Sequence, residues 1–209
     1  MTDRDRFLDG CRSLGITISE QQLSLIDQYV QILLKWNKVH NLIGRSTEKN
    51  IYFRHILDCA QLVPYIKNSK NVLDVGSGAG LPAIILAILT DCQIYACEII
   101  AKKASFLSAA KAQLKLNSNF TVLNQDVHLL KKNEFNFDTI TARAYADLQH
   151  IFEGTAPLLT DGGKFVLLKG VQNDTEISLA HLKKDVTIKK YPSITSKESK
   201  IITIVPGST

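Results

Sequence analysis

Asp74-Val75-Gly76-Ser77-Gly78-Ala79-Gly80-Leu81-Pro82 decides the fold. The run Asn71 to Val75 in front of the glycines is short and apolar, which predicts a strand. Leu81 to Leu89 behind them predicts a helix, with Pro82 in its first turn, where a missing N–H costs nothing. Three glycines at every second position let the backbone turn tightly and let a ligand approach closely. Strand, glycine turn and helix in that order open a doubly wound α/β sheet.

The ligand follows from the spacing and from two acids. A dinucleotide fingerprint reads G-x-G-x-x-G, with its last glycine three residues on; here the last interval is two. Asp74 sits beside the loop, where a carboxylate repels a pyrophosphate but suits a ligand with a cationic amino-acid end. S-adenosylmethionine has no phosphate, a sulfonium and an ammonium that Asp74 can approach directly or through water. Glu98 ends the next strand, 18 residues beyond Gly80, where a carboxylate accepts both ribose hydroxyl protons. Two other readings stay open at this point. One is a glycine-rich turn beside two surface acids. The other is a nicotinamide enzyme with Lys102 and Lys103 on a 2′-phosphate.

Downstream, short apolar runs alternate with longer ones. Strands are expected at Gln93 to Cys97, Phe120 to Leu123, Phe137 to Thr141 and Lys164 to Leu168, with a closing pair at Val186 to Tyr191 and Lys200 to Val205. Helices are expected at Lys102 to Leu116 and at Leu148 to Leu159, the latter stopped by Asp161-Gly162-Gly163. Alternation of this kind implies a mostly parallel sheet covered on both faces. Upstream, residues 1–66 read as a helical extension and 67–209 as the α/β domain. Ser19 and Gln22 make a capping-box pattern for a helix from about 20 to 37. A second helix is expected from about 48 to 62, closed by Pro64.

Composition narrows the class. At 209 residues, 45% hydrophobic and 22% charged, the chain suits one globular domain with a modest extension. No apolar run reaches the roughly 18 residues that span a bilayer. The start Met-Thr-Asp-Arg-Asp-Arg lacks a secretory pattern, so a cytoplasmic protein is expected. Cys11, Cys59, Cys92 and Cys97 form no C-x-x-C pair; they read as small buried hydrophobes, with no metal site expected. A formal charge of +5 favours a polyanionic partner. Without heptads or a spare apolar stripe, the default is a monomer.

The acceptor is narrowed by what is missing. A Pro-Pro loop after the fourth strand, suited to an exocyclic amino group, is absent; Thr141-Ala142-Arg143-Ala144-Tyr145 stands there. No cysteine follows a proline, as a carbon-5 pyrimidine enzyme often requires. The remaining acceptors include a ring nitrogen with a free lone pair, such as guanine N7. It carries no proton, so positioning and desolvation suffice.

Lys35-Trp36-Asn37-Lys38-Val39-His40-Asn41-Leu42, Arg54-His55-Ile56-Leu57-Asp58, the glycine loop through Pro82, Thr141-Ala142-Arg143-Ala144 and Lys169-Gly170 together resemble the bacterial small-subunit ribosomal RNA methyltransferase G family. The resemblance runs over nearly the whole chain. It implies a class I S-adenosylmethionine-dependent methyltransferase: Rossmann-like, doubly wound, mostly parallel with an antiparallel last strand, and carrying an N-terminal helical extension. It implies an enzyme that methylates N7 of one guanine in the 16S rRNA decoding region, with 16S rRNA or the small ribosomal subunit as partner. The rival readings are a methyltransferase of another RNA, a protein or a small molecule, and a non-catalytic RNA-binding protein on the same fold. The family pattern implies cofactor contacts at Gly76, Leu81, Val127-His128 and Arg143. Ala83 departs from the glycine common after the proline.

Together these readings assign Asp74, Gly76, Gly78, Gly80, Leu81, Glu98, Val127, His128 and Arg143 to the cofactor. Arg143, Asn41 and Lys169 receive positioning roles in catalysis. Lys35, Lys38, Arg45, Arg54 and Lys169 are assigned to RNA, where phosphate contacts position the substrate rather than specify the base. Lys49 belongs to the same basic group, and Lys183, Lys184, Lys189, Lys190, Lys197 and Lys200 form a second near the end. Trp36 is expected to pack in the core, and His55 and Asp58 to share a local hydrogen bond three apart on one helix face.

Overall fold

Short, near-continuous apolar runs, the central ones buried on both faces, produce the sheet on which everything else hangs. In a computed structural model that describes residues 1–143, 148–170 and 186–206, its strands are β1 (Asn71–Val75), β2 (Gln93–Cys97), β3 (Phe120–Leu123), β4 (Phe137–Arg143), β5 (Leu159–Gly170), β6 (Val186–Pro192) and β7 (Ser199–Pro206). Their order is β3-β2-β1-β4-β5-β7-β6. The first five are parallel, while β7 runs antiparallel to both β5 and β6. The chain walks outward from β1 to β3, then restarts beside β1 with β4. That reversal opens a crevice beyond the carboxyl ends of β1 and β4.

Side chains alternate across the sheet. Leu73, Val75, Ile140, Ala142, Phe165 and Leu167 join a cluster with Ile151 and Phe152 of α7 (Leu148–Thr155). Val72, Val166 and Leu168 join the opposite cluster, with α5 (Ala83–Leu89), α6 (Ala101–Leu114) and the N-terminal helices. By the same alternation Asp74, Thr141 and Arg143 face the N-terminal side.

The extension begins with α1 (Asp3–Ser13) and α2 (Glu20–His40), each opened by a capping box, at Thr2/Asp5 and Ser19/Gln22. Helix α2 extends past the expected end to His40, and Asn41 stops it with a left-handed backbone, φ 48°. It lies across α5 and α6. The Gln22 amide donates to the Ile88 carbonyl at 3.1 Å, and Trp36 meets Phe106 edge-on with ring centroids 5.5 Å apart.

The second helix is not continuous. A 3-10 turn (Arg45–Asn50), a π turn (Tyr52–Leu57), α3 (Asp58–Ala60) and α4 (Val63–Ile66) replace it. The Asp3 carboxylate accepts from the N–H groups of Tyr52 and Phe53 at 2.8 and 3.3 Å. This remote cap starts a fresh helical turn where a continuing helix would have bonded those donors itself. Pro64 opens α4 rather than closing a helix, because the first turn needs no N–H from it.

Other boundaries moved as well: α5 starts at Ala83, with Pro82 as its cap rather than inside its first turn, α6 spans Ala101–Leu114, and β4 runs on to Arg143. Helix α7 ends at Thr155, followed by a 3-10 turn Ala156–Leu158 that includes Pro157. Asp161-Gly162-Gly163 lies inside β5, where the pairing with β4 slips between Phe137↔Leu159 and Thr139↔Lys164. All four cysteines are buried and free. Lys183, Lys184, Ala144 and Tyr145 lie outside the described residues.

Candidate functional site

The glycine loop is held from three directions. The N–H groups of Gly76 and Ser77 both reach the Cys97 carbonyl of β2, at 2.9 and 3.1 Å. The Gly78 N–H donates to Glu98 Oε2 at 2.8 Å, and the other oxygen of Glu98 accepts from the Ile100 N–H at 2.9 Å. From the extension, the buried Tyr29 hydroxyl donates to the Ala79 carbonyl at 2.6 Å. Gly76, Gly78 and Gly80 all have positive φ, at 67°, 54° and 77°. Gly78 meets only the Gly76 carbonyl, 3.7 Å from where a Cβ would stand, so the loop is open there. Gly80 differs: a Cβ would come within 2.5 Å of Ile84 and 3.1 Å of Leu107. Its lack of a side chain serves helix packing.

Glu98 thus ties the loop after β1 to the loop after β2. A carboxylate has about four lone-pair directions, so two backbone bonds leave acceptor capacity for a ribose.

Asp74 is wholly buried, and neither carboxylate oxygen has a hydrogen-bond partner. Burial pushes the carboxyl up to about 7, and the charge of Glu98 adds to the rise. The Arg143 charge and the nearby Ser77 hydroxyl and Ala83 N–H pull it down in part, although neither donor bonds the carboxylate, the Ser77 hydroxyl donating to the Asp74 main-chain carbonyl at 3.0 Å. Directly across the ladder, Thr141 is also buried with an unpartnered hydroxyl. Two adjacent buried polar groups without protein partners near the ends of β1 and β4 offer bonds to a ligand or an ordered water.

Arg143 ends β4 on the same face. Its Nε donates to Asp58 Oδ2 at 2.8 Å, and one terminal nitrogen donates to His55 Nδ1 at 2.9 Å and to the Arg54 carbonyl at 3.4 Å. Burial pushes the His55 imidazole down to about 4, helped by the charges of Arg143 and Arg54. It is therefore neutral. Its Nε2 lies 2.7 Å from the Thr47 hydroxyl, which donates to the Gly44 carbonyl at 2.6 Å. Because Thr47 spends its proton on Gly44, Nε2 carries the imidazole proton and Nδ1 is left to accept from Arg143. The expected local bond between His55 and Asp58 gives way to a long-range one, with both side chains turned to Arg143.

Asn41 is an exposed helix cap. Its neighbour Asn37, to which no role was assigned, is fully buried and stitches the segment together. Its amide donates to Glu48 at 2.6 Å, and its oxygen accepts from the Ile43 N–H at 2.8 Å. A polar residue at an inward position of an amphipathic helix was the available signal. Leu81 is buried against the loop. Val127 is buried in the α7-side cluster, and exposed His128 packs against Gly154 and, at 5.3 Å, the His150 ring. Lys169 ends β5, only 6% exposed and so apart from the basic surface. Lys35, Lys38, Arg45, Lys49 and Arg54 are all exposed on the extension.

Among the described residues, no cluster of three or more His, Cys, Asp and Glu side chains is arranged to hold a metal, and no helix is long and apolar enough to cross a membrane. The sequence profile described as "GidB: rRNA small subunit methyltransferase G" matches residues 22–203. A protein of Herminiimonas arsenicoxydans named ribosomal RNA small subunit methyltransferase G is 37% identical over 184 residues, covering 84% of this chain and 81% of that one. One of the same name from Neisseria gonorrhoeae is 36% identical over 191 residues, covering 91% and 90%. Among solved structures, a glycopeptide N-methyltransferase complexed with sinefungin superposes with a TM-score of 0.63 at 11% identity, over 74% of this chain and 87% of that one. The B. subtilis m1A22 tRNA methyltransferase TrmK gives 0.60 at 18% identity, over 72% and 65%. At such identities the two structures speak to the fold, which is that of class I methyltransferases.

Proposed function

The chain belongs to the rRNA small subunit methyltransferase G family, and from that premise we propose that its crevice directs methyl transfer from S-adenosylmethionine to N7 of a guanine in 16S rRNA. The orphaned carboxylate of Asp74, at the turn where the glycine loop is open, carries the reading. The residues present fit the cofactor. Asp74 would hold its ammonium, Glu98 its ribose hydroxyls, and Gly76, Gly78 and Leu81 would line its path. Gly80 would keep α5 close behind the loop, and Val127 and His128 would bound the far side through the turn after β3. When bound, the cofactor supplies an electrophilic methyl group on a sulfonium.

What the chain's own residues do is place the acceptor. Guanine N7 is a lone-pair acceptor on the major-groove edge and needs no base to remove a proton first. Alignment and exclusion of water therefore carry the acceleration. Arg143, held at the end of β4, orients the target nucleotide or the cofactor beside it. Lys169 at the end of β5 and Asn41 at the end of α2 complete the positioning set. The extension, residues 1–66, presents Lys35, Lys38, Arg45 and Arg54 to phosphates, so that affinity should fall with salt. The protein acts in the cytoplasm as a monomer.

The test is transfer of radiolabelled methyl to small subunits lacking their native methylation, with free 16S rRNA in parallel and the product nucleoside identified after digestion. 7-Methylguanosine at a single site is the expected product. Measurable cofactor binding with no incorporation into either substrate would overturn the acceptor and leave the fold.

A further inference from the structure

We propose that Asp58 and His55 are positioning residues that hold the Arg143 guanidinium in one orientation toward the crevice, with Thr195 on the β6–β7 turn locking Asp58 in place. The inference rests on the reading of Arg143 as a crevice residue.

Arginine is long, and its use depends on the plane in which its fork lies. Here the plane is defined at two points. Nε is fixed by Asp58 at 2.8 Å and a terminal nitrogen by His55 at 2.9 Å. Both partners come from the Arg54-to-Asp58 segment, 85 or more residues away in sequence. The ion pair is largely removed from water, with side chains 20% and 12% exposed. Neither partner is free to turn. Asp58 Oδ1 accepts from the Thr195 hydroxyl at 2.6 Å and from the Gln61 amide at 2.9 Å. Gln61 in turn accepts from the Ile194 N–H at 3.2 Å, and Ser193 lies 2.9 Å from the Thr195 hydroxyl. The His55 ring is locked from its other side by Thr47. A buried ion pair needs its remaining lone pairs satisfied whatever it does; here the satisfying bonds fix both partners of the guanidinium at once, through Asp58 on Nε and His55 on a terminal nitrogen, and so leave its plane one orientation.

A double-mutant cycle tests the assignment, using the full chain and small subunits lacking the methyl group. Asp58→Asn keeps the shape, removes the charge and turns one acceptor into a donor. In the otherwise unchanged protein it should lower kcat/KM by about 10- to 100-fold, the usual cost of a misplaced positioning group. In an Arg143→Ala background it should cost less than about twofold, because nothing remains to aim. Equal losses in both backgrounds would overturn the proposal while leaving the role of Arg143 intact. Full activity in Arg143→Ala alone would overturn the role of Arg143 itself, and the clamp with it.

Should Asp58→Asn fail to fold, His55 carries the test. His55→Leu removes the acceptor for Arg143, whereas His55→Asn offers an oxygen near the Nδ1 position. The Asn variant should recover most of the activity that the Leu variant loses. Equal loss in both would overturn the proposal.

Discussion

Cofactor binding should release a proton, and Asp74 should be its source. In the free protein burial holds this carboxyl at about 7. An ammonium about 4 Å away attracts a carboxylate by roughly 4 kcal/mol at an effective dielectric of about 20. At about 1.4 kcal/mol per pH unit, that lowers the bound-state value by roughly three units, to about 4. Between those two values the free protein must lose a proton before the ligand can pair. About nine-tenths of the molecules carry that proton at pH 6 and about one-tenth at pH 8. Affinity attributable to Asp74 should therefore fall about tenfold from pH 8 to pH 6. Asp74→Asn keeps the shape and cannot titrate there. The ratio of wild-type to Asp74→Asn affinity, measured by calorimetry at both pH values, cancels any titration of the ligand itself. Repeating the pH 6 titration in buffers of different ionisation enthalpy should show nearly one proton released by the wild type and none attributable to the variant. A ratio constant within about twofold across this range would refute the reasoning.

Asp74 also sets a stability trend in the free protein. Its folded value lies above its unfolded value near 3.8, so its stabilising contribution is full below the unfolded value and is lost as pH rises through 7. Asp74→Asn should therefore gain melting temperature relative to wild type when pH goes from 6 to 8, as read by calorimetric scans without ligand. His55 has the opposite sign. Its folded value near 4 lies below the ordinary 6.5, so stability should fall as pH drops from 6.5 toward 4, by at most roughly 3 kcal/mol; imidazole NMR should show no protonation of His55 above about pH 5. Tyr29→Phe leaves the Ala79 carbonyl without its donor. It should cost about 1–3 kcal/mol in denaturant unfolding and weaken cofactor binding through the loosened loop. Gly80→Ala and Gly15→Ala both force alanine to a positive φ, but only the first also collides, with Ile84. Both should lose about 1 kcal/mol to backbone strain, and Gly80→Ala should lose more; equal losses would mean that Ile84 yields without cost.

The parts of the fold legible along the chain are those governed by neighbours in sequence. Strand β1, the glycine turn and strands β2 and β3 were readable to the residue, since periodicity and glycine spacing are local. The capping box at Ser19 and Gln22 was equally plain. The broken helix after Asn41 was not, because the carboxylate that restarts it belongs to Asp3, some fifty residues earlier. Nor was the strand that passes through Asp161-Gly162-Gly163, where three turn-forming residues are absorbed by a register slip against β4.

The candidate site divides the same way. Composition and spacing marked Asp74, Glu98 and the glycines, because each lies at the end of a strand that the local pattern announces. The family resemblance rested separately on quoted motifs, each contiguous in the chain. What they left undetermined was every partnership between distant segments. Tyr29 reaches the loop across fifty residues, and Arg143 finds Asp58 across eighty-five. Burial raises Asp74 and lowers His55, and burial exists only once helices and sheet have packed. The sequence determined which chemical groups stand at the ends of which strands; the tertiary structure decided which are buried, which are paired and which are left with an open lone pair. The physical reason is range: backbone preference and hydrophobic period act over a few residues, whereas desolvation and hydrogen-bond satisfaction depend on whatever the fold brings within a few ångströms.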